Sequence, residues 1–228
     1  MKPPFIGRAF SLAVLLGCVV WWGARVTSGR PAEPKGALPP PAIDAGLATK
    51  PSPQTAVFAG GCFWGVQGVF EHVKGVTRAT SGYAGGTVER PYYELVSSGS
   101  TGHAESVEVV FDSSQISYGK LLMIFFAVAH DPTQKDRQGP DIGSQYRSAI
   151  FYTSAEQKKI AEAYIAQIDE AKLYDRAIAT QIAPLSAFYQ AEDYHQDYLK
   201  KHPDNAYVRF NDLPKLERLK QTYSELYR

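Results

Sequence analysis

The segment Gly60-Gly61-Cys62-Phe63-Trp64-Gly65 is the part of this chain best suited to chemistry. A thiolate is a strong nucleophile. A cysteine placed where a strand gives way to a helix meets free helix N–H groups and the positive end of the helix dipole, and both favour ionisation. The two glycines before it permit a tight turn. The two large aromatics after it can build an apolar wall beside the sulfur. A buried, inert cysteine is the alternative reading.

The elements that must hold this cysteine follow from periodicity. Residues 55–59 are a short apolar run stopped by Gly60-Gly61, which reads as a buried strand. Val66, Val69, Phe70 and Val73 recur on one helical face, so 63–73 reads as a helix. Residues 76–83 read as a second strand ended by Gly85-Gly86, and 86–103 as a loop around a helical turn at 92–96. Residues 106–112 alternate, with Val107, Val109 and Phe111 facing one way, and form a third strand. Leu121, Leu122, Phe125 and Phe126 give 117–129 an apolar helical stripe, and 147–152 is the fourth strand. The order βαββαβ is the split βαβ arrangement: an α+β fold, a ferredoxin-like two-layer sandwich. Ser154 and Gln157 make a capping box for a long helix whose face carries Ile160, Tyr164, Ile168 and Ala171. A fifth strand at 179–183, a short helix near 192–201 and a helix over 213–227 form a C-terminal helical extension.

Composition narrows the functions available. The 228 residues are 44% hydrophobic and 21% charged, the balance of an ordinary globular domain. A net charge of +1 offers no electrostatic footprint for nucleic acid. Two cysteines and five scattered histidines show no metal-ligand spacing, so no metal and no cofactor are expected. Six of the 24 basic and two of the 23 acidic residues lie in 1–53, which leaves 18 and 21 in 54–228, a charge of −3.

The two ends of the chain differ in kind. Lys2 and Arg8 precede an uncharged run from Ala9 to Ala24, closed by Arg25. Residues 1–28 therefore read as a signal peptide or a membrane anchor that keeps the N-terminus inside and exports the rest. Leu15-Leu16-Gly17-Cys18 also resembles a lipobox, with Cys18 as a lipidation site. The location expected is periplasmic or otherwise extracytoplasmic, with N-terminal membrane association. Residues 29–53 hold seven of the fifteen prolines and read as a disordered, extended linker, with the folded domain at 54–228.

Five blocks along the chain carry a resemblance. Gly61-Cys62-Phe63-Trp64-Gly65, Gly102-His103-Ala104-Glu105 and His130-Asp131-Pro132-Thr133-Gln134 are three of them. Asp141-Ile142-Gly143-Ser144-Gln145-Tyr146-Arg147-Ser148 and Ala191-Glu192-Asp193-Tyr194-His195 complete the set. In this order and register they resemble the A-type peptide methionine sulfoxide reductases over residues 55 to about 200. The resemblance implies an enzyme that reduces the S epimer of methionine sulfoxide in proteins, and free methionine sulfoxide, to methionine. It implies Cys62 as the nucleophile on the sulfoxide sulfur and Glu105 as the proton donor. Tyr93 and Tyr146 would donate to the sulfoxide oxygen, Asp141 would order the network, and Phe63 and Trp64 would cage the substrate methyl group. Cys62 would be left as a sulfenic acid, a reversible oxidation state.

One departure from the family bears on the second half of the reaction. No cysteine follows Cys62, and Ser97 stands where some relatives carry one. An external, thioredoxin-like thiol reductant is therefore expected as a partner alongside oxidised proteins. Two other functions fit the residues less well. One is a cysteine hydrolase using His103 or His195 with Asn205 or Asn211; the other is a tethered, non-catalytic module that recognises methionine. In the reductase reading, His103 and His195 are structural hydrogen-bonding residues.

Overall fold

The computed structural model describes Met1 and residues 32–228. The candidate export segment and Cys18 lie outside the described residues. Strand β1 (Pro53–Gly60) leads into helix α1 (Phe63–Glu71), strand β2 (Val76–Ala84), helix α2 (Tyr93–Ser97) and strand β3 (Ala104–Asp112). Helix α3 (Tyr118–Ile124) runs on into a π-helical turn at Phe125–Ala129. A small hairpin, β4 (Arg137–Gln138) and β5 (Asp141–Ile142), and a 3-10 turn (Ser144–Tyr146) precede strand β6 (Ser148–Tyr152). Helix α4 (Ala155–Glu170), strands β7 (Gln181–Pro184) and β8 (Phe188–Gln190), helix α5 (Tyr198–Lys201) and helix α6 (Leu213–Thr222) follow.

The main sheet has the order β7-β6-β1-β3-β2-β8. Its four central strands are mutually antiparallel, so β1 and β2 are parallel strands with β3 between them. That is the split βαβ topology expected from the sequence. β7 adds parallel to β6 and β8 antiparallel to β2, and together they extend the sheet at both edges. The run 56–59 is apolar without alternation because both of its faces are buried. Ala56 and Phe58 enter the main core with Val66, Val69, Phe70 and Phe125. Val57 and Ala59 enter a smaller cluster with Ala84, Ala149 and Phe151 on the opposite face.

The C-terminal elements depart from expectation in their details. The capping box is real, but its return bond is displaced by one residue. Ser154 Oγ accepts from the Gln157 N–H at 3.2 Å, while Gln157 Oε1 accepts from the Thr153 N–H at 2.9 Å. Ile160, Tyr164 and Ile168 are buried as expected. Ala171 is exposed, because α4 ends at Glu170 and Ala171 is its cap. The last helix stops at Thr222 rather than 227, and the chain turns back so that Val73 and Tyr227 pair as an isolated β-bridge.

Residues 32–52 correct the reading of a free, disordered spacer. They lie along the helical layer, with Leu38 buried in the core. Several of their N–H groups find acceptors on the folded domain: Ala32 donates to Asp131, Leu38 to the Tyr223 hydroxyl, Ala42 to Gln167, and Lys35 to the Leu173 carbonyl. The Pro39 carbonyl accepts from Tyr164 and the Pro40 carbonyl from Gln167. Proline-rich chain is already extended and short of donors. Docking it therefore costs less ordering entropy, and leaves fewer groups to satisfy, than composition alone suggests.

Candidate active site

Cys62 is the N-cap of α1, at the step from the central strand β1 into the helix. The step requires Gly61, whose φ is +87°. A Cβ at Gly61 would stand 2.5 Å from the Gln138 side chain. The backbone N–H of Trp64 reaches the sulfur and favours the thiolate, as does Lys215. Burial works in the other direction and is the larger effect, helped by the charges of Glu105 and Asp212. The free thiol is therefore held well above its ordinary value. This corrects the expectation of a helix-lowered thiolate: one N–H at a short helix does not offset removal of the sulfur from water beside carboxylates.

Glu105 faces the same cavity for a reason of register. On β3 it shares a face with Val107, Val109 and Phe111, the face turned toward the helices. It is buried, and its Oε2 accepts the Phe63 N–H at 3.0 Å. Burial raises its carboxyl to about 8 despite that bond, with Asp141 and Asp212 adding to the rise. A carboxyl of this kind is protonated at neutral pH. Its Oε1 has no hydrogen-bond partner among the described residues and is free to donate.

A cavity of about 330 Å³ opens over the sulfur. It is lined by Cys62, Phe63, Trp64, Tyr93, Glu105, Asp141, Tyr146, Asn205 and Tyr207. All seven site residues named from the sequence thus converge on one space, from α1, α2, β3, β5 and the 3-10 turn. Trp64 is fixed on three sides. Its indole N–H donates to His195 Nδ1 at 3.1 Å, its ring stacks on Tyr198 at 3.7 Å, and Tyr207 meets it edge-on at 6.0 Å. Phe63 is more deeply buried, against Tyr83 and His195.

The two phenols are brought together by polar anchors outside the cavity. Glu192 accepts the Tyr93 N–H at 2.9 Å and the Tyr83 hydroxyl at 2.8 Å, which fixes the start of α2. Gln145 donates to the Ser97 carbonyl at 3.0 Å and so ties the turn carrying Tyr146 to the end of α2. Burial, then Glu105, raises both Tyr93 and Tyr146, so both remain neutral donors. His103 and His195 have the structural roles expected of them. His103 accepts the Gly86 N–H and bonds the Val88 carbonyl, and His195 serves Trp64. Among the described residues no histidine bonds Cys62, as a cysteine hydrolase would require.

Sequence reading missed Tyr207 and the turn that carries it. Asn205 Oδ1 accepts the Tyr207 N–H at 2.9 Å and starts this turn. The Tyr207 hydroxyl donates a hydrogen bond to Asp141. Asp141 therefore orders the site through a side-chain hydroxyl. Burial raises its carboxyl, while the Tyr207 bond and Lys215 oppose the rise. The Pro203-Asp204-Asn205 turn was the only local signal, and nothing in the spacing of Tyr207 marked it for the cavity.

Comparisons with known proteins agree with this geometry. The sequence profile of the family described as peptide methionine sulfoxide reductase matches residues 54–227. A peptide methionine sulfoxide reductase MsrA 2 of Mesorhizobium japonicum is 56% identical over 177 residues, 78% of this chain and 91% of the relative. A protein of the same name from Synechocystis is 52% identical over 190 residues, 82% of this chain and 89% of the relative. Among solved structures, methionine sulfoxide reductase A of Corynebacterium diphtheriae is 37% identical with a TM-score of 0.59, covering 77% of this chain and 89% of that one. Reduced Mxr1 of Saccharomyces cerevisiae is 31% identical with a TM-score of 0.62, covering 72% and 92%.

Proposed function

The chain belongs to the peptide methionine sulfoxide reductase family and reduces methionine sulfoxide to methionine; from that premise we propose how its residues divide the reaction. The carrying observation is the pairing of Cys62 with a protonated Glu105 across one small cavity. Phe63 and Trp64 receive the substrate methyl group, since apolar walls reward its burial and aromatic rings attract sulfur. The sulfoxide oxygen lies among Glu105, Tyr93 and Tyr146. The Cys62 thiolate attacks the sulfoxide sulfur while Glu105 protonates the oxygen, and the phenols stabilise the charge that develops there. The substrate sulfur gains two electrons, the Cys62 sulfur loses two, and methionine leaves a cysteine sulfenic acid behind.

The raised thiol and the raised carboxyl are two parts of one device. When Glu105 is protonated, the largest charge opposing Cys62 ionisation is gone. Acid and nucleophile are thus poised together. With no further cysteine in 63–228, two equivalents of an external thiol restore Cys62, forming a disulfide and water. A thioredoxin-like donor is the fitting class. The basic start and the uncharged run 9–24 make the site extracytoplasmic, tethered or released by residues 1–28.

The test is a single turnover of the full chain without reductant, on each epimer of a methionine sulfoxide peptide. About one methionine per protein from the S epimer, with one thiol lost and nothing from Cys62→Ser, is expected. Methionine formed by Cys62→Ser, or none formed by the wild type, overturns these assignments.

A further inference from the structure

One buried ion pair beside the nucleophile has no part in the steps above. Asp212 is fully buried in the π-helical turn Val208–Asp212, and its Oδ1 accepts from the Lys215 ammonium at 3.1 Å. Its other oxygen, Oδ2, has no hydrogen-bond partner among the described residues. Lys215, one turn into α6, is itself largely shielded from water. The pair rests on Gly65, three residues past Cys62 on α1. A Cβ at Gly65 would stand 2.1 Å from Asp212 Oδ1 and 2.5 Å from Lys215 Nζ. Gly65 has an ordinary helical backbone, so the space is needed for the pair and not for a turn.

We propose that Lys215 is a positioning residue for the reaction: its ammonium, seated by Asp212 on the bare face of Gly65, is the counter-charge that allows Cys62 to give up its proton. This rests on Cys62 as the nucleophile. The titratable groups set against the sulfur are Glu105 from β3, Tyr93 from α2, Asp141 from β5, Tyr146 from the 3-10 turn, and Tyr207 and Asp212 from the turn before α6. Each of them is an acid. Lys215 is the cation among these groups, and it lowers Cys62, Asp141 and Asp212 alike. Asp212, and Glu105 whenever it is ionised, oppose ionisation of the thiol, and a positive charge held close in the same low-dielectric space offsets them. Asp212 holds the ammonium there, at the cost of one more negative charge.

The test uses the full chain with Cys18→Ser, which leaves Cys62 as the sole thiol, and follows alkylation by iodoacetamide as a function of pH. Lys215→Met is expected to move the titration to higher pH and slow alkylation about tenfold for each unit of displacement. Lys215→Arg should restore most of the wild-type profile. Asp212→Asn should move the profile to lower pH and speed alkylation, since it removes a negative charge and keeps the shape. Opposite signs for the two substitutions are what an electrostatic role requires. A shift of both in the same direction, or an unmoved profile in a folded Lys215→Met, overturns the proposal. The alkylation profile needs no turnover. Failure of the wild type to form methionine, with this titration intact, therefore refutes the nucleophile role and leaves the effect of Lys215 on the thiol standing.

Discussion

Replacing Glu105 with Gln should make the protein a poorer enzyme and a more stable fold. Gln keeps the shape and can still accept the Phe63 N–H, but it has no acidic proton. In the folded state the Glu105 carboxyl titrates near 8, against an ordinary 4.5. Below 4.5 the folded and unfolded forms both hold the proton and the residue costs nothing. As pH rises from 4.5 toward 8 the unfolded chain releases that proton and the folded chain does not. Stability then falls by about 1.4 kcal/mol per pH unit. Above 8 the full cost stands at about 5 kcal/mol, an upper bound because water entering the cavity relieves part of it. Denaturant unfolding should therefore show Glu105→Gln gaining on the wild type by about 3 kcal/mol between pH 5.5 and 9. Single-turnover methionine formation should fall by roughly 10²–10⁴, the usual worth of a positioned acid. The wild-type rate should also decline above pH 8, and the variant should lack that limb. A stability advantage over the wild type no larger at pH 9 than at pH 5.5, or a variant that keeps a tenth of the wild-type rate, would refute the reasoning.

Two other perturbations probe the parts that sequence reading missed. Tyr207→Phe removes the hydroxyl that holds Asp141, a bond to an ionisable partner worth about 1–3 kcal/mol. It should lower the unfolding free energy by that order and raise KM more than it lowers kcat, and an unchanged KM would count against Tyr207 shaping the cavity. Leu38→Ala should cost about 2–4 kcal/mol if residues 32–52 are part of the fold, as its burial implies. A loss under about 0.5 kcal/mol on chemical denaturation would return that segment to the status of a spacer.

The chemistry was legible in the sequence because it is local. A cysteine between glycines at the end of an apolar run is a turn with a nucleophile in it, and β1, Gly61 and α1 are what that pattern requires. The two-residue alternation that identifies β3 also carries Glu105 onto its buried face, two residues before Val107. The alternating run reads as a strand only from residue 106, so Glu105 itself is marked by the Gly102-His103-Ala104-Glu105 block and the resemblance it carries. The βαββαβ order likewise follows from periodicity, and with it the antiparallel centre of the sheet. Ala171 and residues 223–227 misled for a local reason too: helical spacing does not say where a helix stops.

What only the tertiary structure decided concerns groups that meet across long stretches of chain. Tyr207 reaches Asp141 over 66 residues, and Asp212 with Lys215 reaches Gly65 through nothing more than the absence of a side chain. The direction of the Cys62 shift was also beyond the sequence. Local pattern supplies the helix end that favours the thiolate, whereas burial and distant carboxylates, which outweigh it, arise only from packing. The docking of residues 32–52 is of the same kind. Composition says that proline-rich chain cannot build a core of its own, but a groove already formed by Tyr164, Gln167 and Tyr223 can hold it. Residue types and spacing thus marked a candidate nucleophile, the motif blocks and their resemblance identified the reaction, and long-range packing decided the electrostatic balance at which it runs.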